Sequence, residues 1–167
     1  RSQGGQAERV RLDSGVQKNH EFLSGQVVAE ACFSTNYAPQ TATSICPNGA
    51  EVQFGSGSAN PSKCADAPGC NHGTHVAGIV AGKSIDPASI PGTTIYSGIA
   101  PGAKVYAIQV FSEFSSFSFC NPNSKCVLSY TSDMISALQQ VYADRAAYNI
   151  ASVNLSLGGG RYFDYCD

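Results

Sequence analysis

Short runs in which apolar and polar positions alternate are separated along this chain by long stretches with no period. From Arg9 to Val16 the apolar Val10 and Leu12 fall on one side and the run breaks at Gly15, which predicts a short strand with Asp13 at its C-terminal end. Gln26 to Phe33 reads as a second strand, with Val27, Ala29 and Ala31 opposing Val28 and Glu30. From Thr74 to Gly82 every residue except His75 is small or apolar, so the pattern predicts a short helix buried around nearly its whole circumference. Gly73, Gly78 and Gly82 each cost that helix about 1 kcal/mol against alanine, a cost tolerated where a sheet or another backbone must come close. Lys104 to Phe111 suits a strand covered on both faces. Ser132 and Asp133 then cap an amphipathic helix running to about Arg145, with Met134, Ile135, Leu138, Val141 and Tyr142 as its apolar positions, and Ile150 to Gly158 forms a last strand. Strand, helix and strand in series imply parallel pairing with right-handed crossovers, hence an α/β fold of three layers with a mainly parallel sheet flanked by helices.

The segments between these elements are polar. Arg1 to Ala7 predicts a poorly ordered start, and Ser34 to Asn71 and Lys83 to Gly98 read as long loops rich in Ser, Pro, Gly and Asn. Ser112 to Ser129 is a polar, aromatic insertion. Its Phe114, Phe117 and Phe119, with Phe111 before it, read as a locally packed loop, a pocket lining being the other reading.

Composition narrows the function classes. The 167 residues, 43% of them hydrophobic, are enough for one domain with a real core. With 13% charged residues and a net charge of −2 there is no basic footprint for nucleic acid or an anionic membrane surface. No apolar run approaches the roughly 20 residues of a membrane span. Seven cysteines among such loops point to an oxidising compartment, and so to a secreted protein. A start at Arg1, without Met or a leader, is expected of a processed or truncated piece of something longer.

The candidate chemistry sits at the mouth of the first helix. A histidine at a helix start can project into a cleft while the buried helix behind it holds it rigid, which places His72 as a general base. His75, one turn later, is expected deeper, in a packing role. Asp13, at a strand's C-terminal end, stands where α/β folds place their active sites, although an Asp before Ser-Gly taken alone reads as a turn residue.

Cys70-Asn71-His72-Gly73-Thr74-His75-Val76-Ala77-Gly78 resembles the histidine motif of the subtilisin-like serine peptidases, the subtilases. Leu12-Asp13-Ser14-Gly15-Val16 with the following His20 resembles their aspartate motif, and Gly98-Ile99-Ala100-Pro101 ahead of an apolar strand is similar to the same family. Asn154 to Gly159 resembles the segment that lines the substrate's primary pocket. The resemblance implies a subtilisin-like fold, hydrolysis of peptide bonds through an acyl-enzyme, Asp13 and His72 as two members of an Asp-His-Ser triad, and Ser156, Leu157 and Gly158 in contact with substrate. It implies a polypeptide substrate and no obligatory cofactor. Family members often bind calcium, but no acidic cluster of suitable spacing identifies a site here. Arg11 departs from the family, where that position is usually apolar, and suggests a strand near an edge or a frayed terminus.

No Gly-Thr-Ser-Met-Ala-like segment and no Gly-x-Ser-x-Gly elbow occurs. The resemblance therefore implies that residues 1–167 form part of a subtilase catalytic domain, truncated before its oxyanion Asn and nucleophilic Ser, partnered by the remainder of that domain and inactive alone. Two other readings stand beside it. One is a metal site at Cys70, His72 and His75 with Asp66, which would require a reduced Cys70. The other is a non-catalytic binding module derived from a subtilase.

Six cysteines fall into local couples, Cys32 with Cys46, Cys64 with Cys70 and Cys120 with Cys126, although a crossed arrangement among the first four is open to sequence alone. Each couple would restrict the unfolded chain by roughly 2–3 kcal/mol. Cys166 is left without a local mate and is expected to pair beyond Asp167. Peptide mapping under non-reducing conditions should find Cys166 joined to none of the other six; a bond to any of them would overturn the pairing scheme.

Overall fold

A computed structural model describes residues 8–64, 66–84 and 96–159. The expectations for Arg1 to Ala7, for most of the Lys83 to Gly98 loop and for Cys166 lie outside the described residues. Five strands make the main sheet, in the spatial order β4 (Val52–Phe54), β2 (Val27–Phe33), β5 (Lys104–Gln109), β1 (Glu8–Asp13), β8 (Ile150–Leu155). All neighbours pair in parallel except β4, a short antiparallel edge strand on β2. Helix α1 (His72–Ala81) packs on one face and α3 (Thr131–Asp144) on the other, giving the three layers expected of an α/β fold.

Alternation along β1 decides which side chain meets which helix. Val10 and Leu12 join Ala31, Tyr106, Ile108, Ala137 and Val141 in the core beneath α3. Arg11 and Asp13 point the other way, toward the layer where Ala77 and Ala81 of α1 rest on Val105 and Ala107. Parallel strands covered on both sides must be apolar or internally bonded throughout, which β5 satisfies with Val105, Tyr106, Ala107 and Ile108 all buried.

Several expectations need correction. β1 is not an edge strand, since β5 and β8 flank it, and Arg11 is only 2% exposed. The outer face of α1 is open: Ile79 is 53% exposed and His75 is exposed rather than buried in the core. The helix glycines admit a side chain as well as backbone, because a Cβ on Gly82 would meet the Phe22 ring at 2.0 Å. The polar stretches conceal a second sheet, antiparallel, in which β3 (Ala42–Ser44), β6 (Ser112–Phe114) and β7 (Cys126–Leu128) pair in that order. Three-residue strands are too short to show a period. The insertion also holds the one-turn helix α2 (Phe117–Cys120), and Phe114 packs there against Phe119 and Tyr130, the locally packed loop of the first reading. β8 ends at Leu155, so residues 156–159 lie outside the sheet, in no regular element.

The three local cysteine couples are all joined, Cys32 to Cys46, Cys64 to Cys70 and Cys120 to Cys126. On α3 the buried stripe is Asp133, Ala137 and Val141, while Ile135, Leu138 and Tyr142 face outward. Asp133 does not cap its helix. Its carboxylate accepts from the Thr35 amide at 3.0 Å and the Thr35 hydroxyl at 2.8 Å, tying α3 to the end of β2. Burial pushes its pKa up and the two Thr35 bonds pull it back. Asp133→Ala leaves the Thr35 amide without its acceptor in a half-buried setting and should cost about 1–3 kcal/mol in urea unfolding; an unchanged midpoint would contradict the clamp.

Candidate active site

Asp13 ends β1 where its carbonyl accepts the last bond from the Val110 amide at 3.0 Å, and its carboxylate, on a residue 1% exposed, turns toward the start of α1. One oxygen, Oδ1, accepts from the Ser14 amide and stands 2.7 Å from His72 Nδ1; the Ser14 contact is also 2.7 Å. The other, Oδ2, is buried without a partner among the described residues. With Nδ1 occupied, Nε2 is the nitrogen left to the cleft, and the His72 side chain is 45% exposed. A buried acceptor on one side and an open nitrogen on the other is the arrangement that lets an imidazole take a proton and stabilises the resulting cation.

The chain around this pair is built for close approach. Ser14 donates to the Cys70 carbonyl at 2.9 Å and accepts from the Gly73 amide at 3.1 Å, so one hydroxyl ties the aspartate turn to both sides of His72. The Cys64–Cys70 bond closes the turn leading into the helix. Gly73 is required by contact: a Cβ there would lie 2.2 Å from the Gly15 carbonyl oxygen and 3.0 Å from Asp13 Cβ.

His72 opens onto a cavity of about 650 Å³ whose lining brings together Asp13, Ser14, His72, Ser156, Leu157 and Gly158. Two segments far apart in sequence thus reach one cleft. The same cavity is lined by Phe111, for which a pocket lining was the other reading, and by Leu128, Ser129 and Met134, which the sequence did not single out for binding. The signal was the aromatic insertion itself, whose last strand, β7, ends at this cavity.

The metal alternative does not assemble. Cys70 is bonded to Cys64, His72 faces Asp13, and His75 lies with His20 and Ile79 on a different cavity of about 690 Å³. No group of three His, Cys, Asp or Glu placed to hold a metal occurs among the described residues. Because the Asp13–His72 contact depends on the Gly73 approach, Gly73→Ala should separate the pair and abolish the protected imidazole proton in NMR spectra of a folded chain. A retained resonance would show that the approach can be made with a Cβ present.

The likeness to known proteins is consistent along the chain. A model of the subtilase family matches residues 11–164. Fervidolysin of Fervidobacterium pennivorans is 30% identical over 102 residues, which are 61% of this chain and 11% of that protein. The solved structure titled S41 Psychrophilic Protease superposes with a TM-score of 0.55 at 24% identity, over 95% of this chain and 39% of that one, a likeness of fold. The chain therefore spans a minor part of both proteins it is compared with. A family match over nearly its whole length, on a fold of the same kind, means that this chain belongs to the subtilase family.

Proposed function

We propose that the protein containing this chain is a secreted serine endopeptidase and that the chain supplies the proton-transfer half of its active site. The observation that carries this reading is the 2.7 Å contact between Asp13 and His72, residues 59 positions apart. In the proposed cycle a serine outside the described residues attacks the scissile carbonyl and passes its proton to His72 Nε2. The same nitrogen then protonates the leaving amine. Asp13 holds Nδ1–H toward itself and offsets the charge that forms on the ring. Ser14 and Ser156 are not offered as nucleophiles, since Ser14 donates to the Cys70 carbonyl and Ser156 to Asn154 Oδ1. Ser156, Leu157 and Gly158, past the last strand, line the cavity beside His72, along which a polypeptide substrate is proposed to lie.

Three disulfides support an oxidising compartment, and no described helix is long and apolar enough to cross a membrane. The remainder of the catalytic domain is the proposed partner that brings the nucleophile and the oxyanion donor.

The test is made on the complete protein with a peptide substrate. Asp13→Asn should lower kcat about 10⁴-fold, as expected when the wrong imidazole tautomer is stabilised, with KM changed only a few-fold. His72→Ala should lower it at least as far. The 167-residue chain alone should hydrolyse nothing. Turnover retained in the His72→Ala protein would overturn the assignment, and a complete protein with no activity at all would favour the non-catalytic module.

A further inference from the structure

Two features of β1 point into the layer beneath α1, and the proposed chemistry uses only one of them. Arg11 stands two residues before Asp13 on the same face of the strand, opposite Ala107 of β5, and is 2% exposed. Its guanidinium donates through Nη2 to the backbone carbonyl of Val76 in α1, and its Nε is buried without a partner among the described residues.

We propose that Arg11 is a positioning residue, holding α1 in the register on β1 that keeps His72 against Asp13. The two contacts form a ladder between strand and helix. Arg11 and Asp13 lie about 7 Å apart along β1, and Val76 and His72 lie one helical turn, about 5.4 Å with 6 Å for the full four residues, apart along α1. The strand runs toward Asp13 while the helix runs away from His72, so the rungs Asp13–His72 and Arg11–Val76 do not cross. A single rung is a pivot. The second rung opposes sliding in the middle of the helix, between the Gln17 amide on Thr74 Oγ1 at its start and the Gln26 side-chain amide on the Ala81 carbonyl at its end.

The packing around them explains why a polar rung is needed. Ala77 and Ala81 meet Val105 and Ala107 in this layer, and such small side chains leave shallow ridges that resist sliding weakly. On the outer face of α1 the His75 and Ile79 side chains are exposed, and the restraint there is main-chain: the Ile79 and Val80 carbonyls accept from the Ile99 and Ala100 amides at 2.9 and 2.8 Å. Burying a guanidinium on a carbonyl instead of a carboxylate is costly, which is out of place in a position whose only task is to fill space. Burial pushes the Arg11 pKa below its ordinary value, and the Asp13 charge two residues along the same strand pushes it partly back.

The inference rests on the proposed Asp13–His72 pair for its consequence, but it can be tested without turnover. In the complete protein, solvent exchange of the His72 Nδ1 proton is measured by NMR and divided by that of the Ile108 core amide, which reports global opening. Asp13→Asn identifies the His72 signal. Arg11→Met keeps length and removes every donor, and should raise the ratio about tenfold or more while the circular dichroism stays unchanged. Arg11→Lys keeps one donor and should stay within about threefold of the parent chain. A role in packing alone would move both protons together and leave the ratio fixed, overturning the proposal. Absence of any protected His72 proton in the parent chain would overturn the pair itself, and the positioning role with it. If Arg11→Met does not fold, the parent chain decides. A guanidinium held on Val76 should give separate, slowly exchanging Nη signals, and a single averaged signal would reject the rung.

Discussion

A buried carboxylate and a half-exposed imidazole can share a proton only if the backbones carrying them come within contact distance, and much of this structure serves that requirement. Asp13 is reached because β1 ends there, between two parallel neighbours, and because Gly73 lets the start of α1 touch the aspartate turn. The approach is narrow enough that a single methyl group on Gly73 would meet a carbonyl oxygen. Ser14, the Cys64–Cys70 bond and the Ala77 and Ala81 contacts then hold the helix start on the turn. Rigidity is placed where orientation matters, and the open side of His72 is left to the cleft.

The cleft has a different origin. One wall is the chain that leaves β8 at Leu155, and the other is the end of β7, which belongs to the small antiparallel sheet. Three disulfides fasten the loops around that sheet, where short strands and small clusters such as Ala42, Phe114 and Cys120 offer little core of their own. The Asp133–Thr35 clamp links the helix beneath this wall to the end of β2. A parallel core thus carries Asp13 and His72, and a cross-linked periphery shapes what lies beside them.

Apolar patterning made β1, β2, β5, α1, α3 and β8 legible, and the resemblance of residues 12–16 and 72–78 to family motifs marked Asp13 and His72. Strands β3, β4, β6 and β7 were hidden because three residues cannot display alternation and their pairing is non-local. Arg11 misled in the opposite direction. A charge inside an apolar run argues for an edge unless its guanidinium finds a buried acceptor, and the Val76 carbonyl, 65 residues away, could not be read from the run itself. His75 and Ile79 failed similarly: an apolar helix reads as buried all round, whereas one side of α1 opens onto a cavity shared with His20.

The central claim is that Asp13 selects the imidazole state from which His72 acts, and ring-nitrogen NMR on the 15N-labelled chain addresses it most directly. For the neutral ring the account predicts a proton on Nδ1, toward Asp13, and Nε2 bare toward the cleft. A neutral ring protonated on Nε2, or an even mixture of the two tautomers, would contradict it.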